Sequence, residues 1–415
     1  MSQRVAVIGL GYIGLPTAAI LASHQHQVTG VDVNPRHVEA VNRGQVPFVE
    51  PDLGTHVAGA VSQGHLSAQA ETPQADIYII AVPTPFKDGH HADLSYIDAA
   101  ADGLIPHLQG GELIILESTS PPGTTQHLAD RITAARPELT TNDAGSEANI
   151  DVAHCPERVL PGRVMIELVE NDRIVGGLTD RAAARAKELY ATFCQGEIFL
   201  TDAITAEMAK LTENSFRDVN IAFANELSII AERLGIDVFE LIELANKHPR
   251  VNILQPGPGV GGHCIAVDPW FIVSAAPEQA RLIRTAREVN DAKPEYVINQ
   301  VLEHVQSEPT DAVAVLGLAF KPDIDDLRES PALHIAEQLA TRLPQTRLLV
   351  VEPNIAALPA SLAGHEHVTL VSTYAEAVEQ ATLTVLLVDH REFRNLATQV
   401  PEGHRVIDTR GVTRK

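Results

Sequence analysis

Short apolar runs alternate with longer amphipathic stretches along the first part of the chain. The runs at residues 4–8, 27–31, 76–82, 112–116 and 150–153 are rich in Val and Ile and lack regular polar alternation. Continuous apolar runs of this length are typical of strands buried on both faces of a parallel sheet. Helical stretches lie between them, so the pattern predicts consecutive βαβ units.

A helical middle separates this part from a second set of apolar runs. Helices are predicted at 202–234, 237–245 and 277–305, with an ordered Gly- and Pro-rich loop at 249–270. Strands are predicted again at 312–318, 347–351, 368–371, 383–388 and 405–407. The predicted fold class is α/β, with two doubly wound Rossmann-like domains joined by a central helical segment. The domain boundaries we expect are 1–200, 201–305 and 306–415.

The acidic composition limits the possible function classes. The 31 Lys and Arg residues against 54 Asp and Glu residues give a formal net charge of −23. That charge argues against general nucleic-acid binding and against docking on anionic membranes, since both need basic surface. Three cysteines form no disulfide framework, which favours a reducing, cytoplasmic setting.

The apolar run at 5–22 has a signal peptide or a membrane span as its alternative interpretation. Gly9, Gly11 and Gly14 interrupt it as G-x-G-x-x-G, directly after the first predicted strand. In that context the first glycine permits a tight turn, the second lets the backbone approach a pyrophosphate, and the third allows close helix–strand packing. We therefore interpret the run as a dinucleotide site in a soluble protein.

Asp32 completes this site because it follows the second predicted strand, 18 residues after Gly14. A carboxylate there accepts hydrogen bonds from a ribose and repels a 2′-phosphate, so NAD is favoured over NADP, although Arg36 lies nearby. Thr84 and Thr119 lie in loops at the ends of later strands, where ligands bind in open α/β sheets. They are candidates to bind the ribose or nicotinamide half, with turn formation or helix capping as the alternative.

Four glycines precede a cysteine in the stretch 256–264, which we name the cysteine loop. Such a loop can turn backbone N–H groups toward an anion and present a thiol beside them. Cys155 and Cys194 lie in apolar strand and helical contexts and are expected to be inert, so Cys264 is the candidate nucleophile. A thiolate beside an aldehyde forms a thiohemiacetal, which a second oxidation converts to a thioester for water to hydrolyse. An NAD site and this thiol together predict a four-electron oxidation of an alcohol to a carboxylate.

Polar residues on the long middle helix are further candidates. Lys210, Asn214 and Arg217 fall at i, i+4 and i+7 and share one face, which is either a solvated face or part of a site. Lys210 suits proton transfer or alkoxide stabilisation, and Asn214 suits the ordering of a water. Glu157 is a candidate base for hydrolysis, and Arg158 is a candidate phosphate ligand.

In their order along the chain, these motifs resemble those of the UDP-sugar 6-dehydrogenases, the UDP-glucose/GDP-mannose dehydrogenase family. The resemblance continues at 317–321 and 325–331 in the last domain. The stretches 154–162, 248–252 and 263–270 are similar to members that act on UDP-N-acetyl-D-mannosamine. UDP-glucose members typically carry an aromatic residue before Gly-Gly, where this chain has Val260, and Phe-Pro-Lys-Asp after the cysteine. Members that act on UDP-N-acetylglucosamine share Gly-Gly-His-Cys and remain the alternative.

The resemblance implies roles for residues at matching positions. NAD would be bound by Gly9, Gly11, Tyr12, Ile13, Gly14, Asp32, Thr84 and Thr119. Cys264 would be the nucleophile and Lys210 the acid–base residue, while Glu157, Asn214 and Asp268 would serve the water step. The UDP-sugar would be contacted by Arg158, Val159, Lys210, Asn214, Arg217, His248, Arg250, Gly261, Lys321 and Arg328.

The resemblance also implies an assembly and a pathway. The middle helices would form the interface of a homodimer, and His248 and Arg250 would reach the site of the neighbouring subunit. The product would serve bacterial surface polysaccharide synthesis of the enterobacterial common antigen type, and no metal site is expected. Two other classes stay open, namely a two-electron dehydrogenase on the same layout and a non-catalytic sensor of nucleotide sugars.

Overall fold

The computed structural model describes residues 2–87, 91–142, 146–160, 162–262 and 264–414. Pro161 and His263, which belong to two of the motifs above, lie outside the described residues. The chain divides into two compact units. The first consists of Met1–Glu213 with Ser274–Ala276, and the second of Asn214–Val273 with Pro277–Lys415.

An eight-stranded sheet forms the centre of the first unit. The strands of this unit are β1 (Arg4–Ile8), β2 (Gln27–Val31), β3 (Leu66–Gln69), β4 (Ile77–Ile80), β5 (Phe86–Lys87), β6 (His91–Ala92), β7 (Leu113–Leu116), β8 (Asp151–His154), β9 (Arg173–Gly177) and β10 (Ile198–Asp202). β5 and β6 form a separate hairpin, and the others follow the order β10-β9-β8-β7-β4-β1-β2-β3. Neighbouring strands run parallel except β8 and β9. Two apolar clusters cover the two faces of this sheet.

Helices connect these strands as the βαβ pattern predicts. They are α1 (Gly14–Ser23), α2 (Pro35–Asn42), α3 (Leu53–Ser62), α4 (Ser95–Leu104), α5 (Thr124–Ala135), α6 (Val164–Glu170) and α7 (Asp180–Tyr190). The α2 helix starts at Pro35 because the Asn34 side chain accepts the Arg36 N–H. Likewise, the Thr179 side chain accepts the Ala182 N–H at the start of α7.

The middle of the chain is helical. It contains α8 (Ala203–Leu234), α9 (Val238–Ala245), α10 (Asp268–Ala275) and α11 (Arg281–Ser307). The boundary between the two units falls inside α8, after Glu213. Gly235, with φ of 69°, ends α8, and the Asp237 side chain accepts two N–H groups at the start of α9. None of the helices in the described part of the chain is long and apolar enough to cross a membrane.

A five-stranded parallel sheet forms the rest of the second unit. Its elements are β11 (Ala312–Leu316), α12 (Pro331–Arg342), β12 (Arg347–Val351), α13 (Ala360–Ala363), β13 (Val368–Leu370), α14 (Tyr374–Gln380), β14 (Leu383–Leu386), α15 (Leu396–Gln399) and β15 (Arg405–Asp408). The strand order is β13-β12-β11-β14-β15. This is the doubly wound arrangement again, so the predicted α/β class with two Rossmann-like sheets is confirmed.

Each predicted strand is present, with its ends within two residues of the expected ones. The prediction missed β3, β9 and β10 and the small hairpin. β3 and β10 lie at the edges of the first sheet, where strands need not be continuously apolar. The expectation of loop throughout 249–270 was wrong at its end, because α10 already begins at Asp268.

The two sheets use the same turn after their first strand. Gly9, with φ of 98°, donates its N–H to Val31 O at 2.7 Å. Gly317, with φ of 91°, donates its N–H to Val351 O at 2.9 Å. Positive φ at both positions favours glycine, because a side chain is strained there. The chain therefore turns away from both first strands in the same way.

We predict that Gly317→Ala destabilises the protein by about 2 kcal/mol or more. A Cβ at this position would lie 2.4 Å from the Val388 Cβ, on a backbone that already disfavours L side chains. Gly364→Ala is the matched control, because nothing lies within 4 Å of its added Cβ. Urea unfolding of the full chain measures both variants, and equal midpoints would contradict the prediction.

Candidate active site

The glycine turn between β1 and α1 leaves room for a ligand at one position only. A Cβ on Gly9 would lie 2.4 Å from Ala81 O, and a Cβ on Gly14 would lie 1.9 Å from Gly9 O. A Cβ on Gly11 would meet nothing within 4 Å. The outer glycines therefore serve chain packing, while the backbone at Gly11 is open to a pyrophosphate above the start of α1.

Asp32 lies directly after β2 and holds this turn. Its carboxylate accepts the Leu10 N–H at 2.9 Å and the Asn34 N–H at 2.8 Å. His37 Nδ1 lies 3.2 Å from the same carboxylate. A carboxylate offers about four lone-pair positions, so Asp32 retains capacity for a ribose hydroxyl. The residues present thus fit an adenosine ribose with a 2′-hydroxyl.

The two loops predicted to close over the cofactor are joined to each other. The Thr84 hydroxyl donates to Thr119 O at 2.5 Å, and the Ser118 hydroxyl donates to Val82 O at 2.7 Å. These loops follow β4 and β7, which are neighbours in the sheet. The structure therefore brings Thr84 and Thr119 together at the strand ends.

Glu207, on the first turns of α8, holds the second of these loops. Its buried carboxylate accepts the Gly123 N–H at 2.6 Å and the Thr125 N–H at 2.7 Å, and the Thr125 hydroxyl at 2.6 Å. Burial raises the pKa of Glu207, and these hydrogen bonds oppose the shift. The sequence interpretation missed this residue, since a glutamate on a helix gives no local signal of burial.

Glu50 was missed in the same way. Its buried carboxylate accepts the Gly162 N–H and the Val164 N–H, both at 2.9 Å, and so caps α6. Two residues earlier, the Phe48 ring packs on Tyr12 of the glycine turn, with ring centroids 4.2 Å apart. One segment therefore contacts both the cofactor turn and the loop that leads into α6.

Arg158, a predicted phosphate ligand, is held by a carboxylate of α8. Its Nη2 lies 2.8 Å from Glu213 Oε1, and its Nη1 donates to Asp172 O at 3.3 Å. Val159 beside it is half-buried against the first apolar cluster. The guanidinium is thus oriented before any ligand arrives.

Glu117 lies at the end of β7, completely buried beneath the cofactor loops. Its carboxylate accepts the Tyr190 hydroxyl at 2.6 Å and the Thr17 hydroxyl of α1 at 3.2 Å. Burial raises the pKa of Glu117 to about 7, and the nearby charge of Glu157 acts in the same direction, while Arg173 opposes it. Glu117 is the third buried acid that the sequence interpretation missed.

Glu157 belongs to the same buried group. Its Oε2 lies 3.6 Å from Arg173 Nη1, which is ion-pair distance but too long for a good hydrogen bond. Its Oε1 accepts the Arg158 N–H at 2.7 Å. Cys155 lies nearby, and burial raises the pKa of its thiol to about 12. The Cys155 thiol therefore stays protonated, which agrees with its expected inert role.

The α8 helix carries the predicted polar stripe. Lys210 is half-buried, Asn214 is buried and Arg217 is exposed, so the stripe is not a uniformly solvated face. Asn214 Nδ2 donates to Asp268 Oδ2 at 2.6 Å, and both side chains are buried. Two residues that the sequence assigned to the water step are therefore in direct contact.

Cys264 lies one turn before Asp268. Its carbonyl accepts the Val267 N–H at 3.0 Å and the Asp268 N–H at 2.8 Å, which places it on the turn that starts α10. Cys264 itself is exposed. The second unit thus presents the candidate nucleophile next to a buried carboxylate–amide pair.

The glycines of the cysteine loop pack against the last domain. A Cβ on Gly261 would lie 2.4 Å from Glu329 O and 2.7 Å from Pro331 Cδ. A Cβ on Gly262 would lie 3.1 Å from the Phe320 ring. Three stretches that the resemblance selected, namely the cysteine loop, 317–321 and 325–331, therefore meet within one unit.

The remaining predicted substrate ligands are exposed. Lys321 follows Phe320, and Arg328 is paired with Asp326 at 2.7 Å. His248 and Arg250 lie in the turn after α9, where His248 Nδ1 accepts the Arg250 N–H at 3.3 Å. All four are cations or potential cations on the surface of the second unit.

The glycine turn, open at Gly11, and the Asp32 carboxylate after β2 are typical of dinucleotide-dependent oxidoreductases. Comparison with known proteins agrees. Residues 3–194 match the NAD binding domain of the UDP-glucose/GDP-mannose dehydrogenase family, 204–292 match its central domain and 314–415 match its UDP binding domain. The chain therefore belongs to the UDP-glucose/GDP-mannose dehydrogenase family, as its motifs predicted, and its cofactor is NAD.

Individual relatives cover nearly the whole chain. An NDP-N-acetyl-D-galactosaminuronic acid dehydrogenase of Ralstonia nicotianae is 57% identical over 99% of this chain and 96% of its own. A UDP-N-acetyl-D-mannosamine dehydrogenase of Salmonella typhi is 55% identical over 99% of both chains. The structure of a UDP-N-acetyl-mannosamine dehydrogenase from S. aureus is similar with a TM-score of 0.84 and 41% identity, over 99% of this chain and 96% of that one.

We predict that Glu117→Gln removes a pH dependence of stability. The pKa of Glu117 is about 7 in the folded state against 4.5 as its ordinary value, so the folded protein binds the proton more tightly. The free energy of unfolding of the wild type should therefore fall, relative to that of the variant, as pH rises from about 4.5 to about 7. Above pH 7 the difference between the two proteins should stay constant. The variant should be more stable at pH 8 by up to about 3 kcal/mol and about equal at pH 4.5.

Urea unfolding of both proteins from pH 4.5 to pH 8 measures this difference. Glu71→Gln is the matched control because Glu71 is exposed, and its curve should follow the wild type. A constant difference between Glu117→Gln and wild type across this pH range would contradict the prediction.

Proposed function

We propose that the protein oxidises the C6 hydroxymethyl group of UDP-N-acetyl-D-mannosamine to a carboxylate. Each substrate would consume two NAD and one water, and would release two NADH and three protons. The observation that carries this proposal is the exposed Cys264 thiol, one turn from Asp268, which is hydrogen-bonded to Asn214. A two-electron dehydrogenase needs no such thiol.

When bound at Gly11 and Asp32, NAD would supply the hydride acceptor for both oxidations. The alcohol first loses a hydride and a proton and becomes an aldehyde. The Cys264 thiolate then adds to the aldehyde carbon, forming a C–S bond, and the thiohemiacetal loses the second hydride to become a thioester. Water adds to the thioester carbonyl, the C–S bond breaks, and the carboxylate leaves with the thiolate restored.

The other candidate residues act around these steps. Lys210 transfers the alcohol proton and stabilises the alkoxide. Asn214 and Asp268 order and polarise the attacking water, and Glu157 assists as base. The buried Asn214–Asp268 contact, at 2.6 Å, supports a role for both residues in the water step. Burial of the Asp268 carboxylate costs free energy, and a function in hydrolysis accounts for that cost.

We propose a set of ligands for the UDP-sugar, most of them basic, and the UDP binding domain match at 314–415 supports the two that lie in that range. The set consists of Arg158, Val159, Lys210, Asn214, Arg217, His248, Arg250, Gly261, Lys321 and Arg328. Arg158 and Arg328 each have a carboxylate partner, Glu213 and Asp326 respectively. A guanidinium has five N–H donors, so such a partner can orient it while it binds a phosphate.

The identity of the sugar has a second candidate. Relatives of similar identity carry two names, one for N-acetylgalactosaminuronic acid and one for N-acetylmannosamine. UDP-N-acetylglucosamine and UDP-glucose are further alternatives from the sequence, and a non-catalytic sensor is the remote one. The two leading sugars differ at C2 and C4, where single hydrogen bonds decide selectivity by about 1–3 kcal/mol.

We predict two NADH per UDP-N-acetyl-D-mannosamine, and a higher kcat/KM for it than for UDP-N-acetylgalactosamine, UDP-N-acetylglucosamine or UDP-glucose.

We also predict that Cys264→Ser stops carboxylate formation, because a serine oxygen cannot form the thioester. Cys194→Ser should retain activity. Absorbance at the NADH band with product chromatography measures both. One NADH per sugar, or full activity of Cys264→Ser, would contradict the four-electron mechanism. Preference for another sugar would overturn the substrate assignment alone.

We further propose a homodimer formed through α8. Phe216, Phe223 and Ile230 recur every seven residues, about two turns, and Leu234 follows one turn later. Phe216 and Leu234 are 68% and 65% exposed. The buried positions of α8 carry small apolar residues together with polar ones such as Asp218 and Asn225, so its largest apolar side chains after Leu211 are the exposed ones. Large exposed apolar side chains along one helix favour a partner surface, and a second copy is the simplest one. His248 and Arg250 would then complete the site of the neighbouring subunit.

We predict that Phe216→Glu with Phe223→Glu converts the dimer to a monomer, because two charges would be buried at the interface. Leu282→Glu is the matched control, since Leu282 is also 68% exposed but lies on α11. Sedimentation velocity measures the mass of each. A monomeric wild type, or a dimer in the double variant, would contradict the proposal.

The proposal includes a cellular location, a pathway and a division of the chain into functional domains. We propose a cytoplasmic enzyme that binds neither nucleic acid nor membrane, supported by its net charge of −23. Its product would enter bacterial surface polysaccharide of the enterobacterial common antigen type. The functional division would be 1–200 for NAD, 201–305 for catalysis and dimerisation, and 306–415 for the UDP-sugar.

A further inference from the structure

The contact between α8 and α11 is polar, although it lies inside the second unit. The Asp218 carboxylate accepts hydrogen bonds from Arg287 Nη1 at 2.6 Å and from Asn290 Nδ2 at 2.8 Å. Asn225 Nδ2 donates to Asn290 Oδ1 at 2.9 Å. All four side chains are at least 99% buried. Burying an ion pair and two amides at one contact is expensive, so an apolar contact would be the more stable choice.

The chain of hydrogen bonds ends on the cysteine loop. Asn225 Oδ1 accepts the Gly257 N–H at 2.9 Å, and that atom pair is buried. Gly257 is the first glycine of the loop whose last residue is Cys264. The four side chains therefore connect α11 and α8 to the backbone from which the nucleophile is presented.

The same region of α11 also contacts the loop directly. Pro294 lies inside the continuous helix α11 and has no N–H, so it leaves the Asn290 carbonyl without its usual i+4 donor. A Cβ on Gly259 would lie 3.1 Å from Pro294 Cγ and 2.9 Å from Pro331 Cβ. The cysteine loop thus packs against the rings of Pro294 and Pro331 at Gly259 and is hydrogen-bonded to Asn225 at Gly257.

A second branch fixes the Asn225 backbone. The Ser228 hydroxyl donates to Asn225 O at 2.6 Å, and Lys293 Nζ donates to the Ser228 hydroxyl at 2.5 Å. Both side chains belong to the same two helices. The Ser228–Lys293 branch therefore contacts the backbone carbonyl of Asn225, and Asn290 contacts its side-chain amide.

We propose that Asn225 is a positioning residue, which sets the cysteine loop for attack through the relay Asp218–Asn290–Asn225–Gly257. This inference rests on the proposed function of Cys264 and assigns the residues that orient it. Asn225 accepts the Gly257 N–H only while its amide group donates to Asn290. Asp218, fixed by Arg287, in turn determines which way the Asn290 amide points.

The first test replaces the relay amide. Asn225→Leu should lower kcat for UDP-N-acetyl-D-mannosamine by roughly 10- to 100-fold, since a displacement of about 1 Å at a reacting group has that effect. The affinity for NAD should stay within twofold of wild type. Asn220→Leu is the matched control, because Asn220 donates only to Phe216 O of its own helix.

The second test uses a pH-dependent isostere. In Asn225→Asp the ionised carboxylate accepts the Gly257 N–H but repels Asn290 Oδ1, whereas the protonated acid can donate to it as the amide does. The charged groups on the two helices around this position are Asp218, Arg287, Asp291 and Lys293. On the loop side, Arg410 Nη1 donates to Pro256 O at 3.5 Å and lies against Gly257. The ratio of variant to wild-type kcat should therefore rise at least threefold from pH 9 to pH 6, and the ratio for Asn225→Leu should stay constant.

The third readout needs no sugar substrate. The rate of Cys264 alkylation by iodoacetamide, followed on the Cys264 peptide by mass spectrometry, should change threefold or more in Asn225→Leu and remain unchanged in Asn220→Leu. If Asn225→Leu does not fold, the ratio of the Asn225→Asp alkylation rate to the wild-type rate, compared at pH 6 and pH 9, gives the same readout. An unchanged alkylation rate, or a kcat within twofold of wild type, would overturn the proposal. A wild type that oxidises no UDP-sugar would overturn the proposed function, while the alkylation comparison would still test the relay.

Discussion

The arrangement of this protein depends on hydrogen bonds from the backbone N–H groups of loops to carboxylates that are buried or partly buried. Asp32 holds the cofactor turn, Glu207 holds the loop before α5, and Glu50 holds the entry to α6. Glu352 does the same in the second sheet, where it accepts the Leu318 N–H at 2.7 Å. Burial of a charge is costly unless such partners satisfy it, so each acid specifies one loop conformation.

The α8 helix extends this principle to the candidate catalytic residues. Its first turns carry Glu207 and Glu213, which hold a cofactor loop and Arg158. Its later turns carry Asn214 and Asn225, which reach Asp268 and the cysteine loop. Within each unit, α8 thus orients groups that are far from it in the sequence, which is the preorganisation that a covalent mechanism requires.

The sequence predicted the parts of this architecture that have local signals. Buried parallel strands are continuously apolar, and G-x-G-x-x-G followed by Asp32 has a fixed spacing, so both were readable. Edge strands such as β10 lack that apolar signature, and they were missed. Glu50, Glu117 and Glu207 were missed for a different reason. Each is an ordinary surface residue type whose role comes from a partner far away in the sequence, and no spacing rule connects them. The polar side of α8 appeared as a stripe, but only the structure shows that Asn225 is buried and bound to Gly257.

The central claim is that this preorganised framework presents Cys264 as a covalent catalyst. Its most direct test is rapid acid quenching of the enzyme during turnover with UDP-N-acetyl-D-mannosamine and NAD, followed by mass spectrometry of the Cys264 peptide. The account predicts that this peptide carries the mass of the sugar-nucleotide acyl group as a thioester, and that hydroxylamine removes it. An unmodified Cys264 peptide throughout turnover, with carboxylate accumulating in solution, would contradict it.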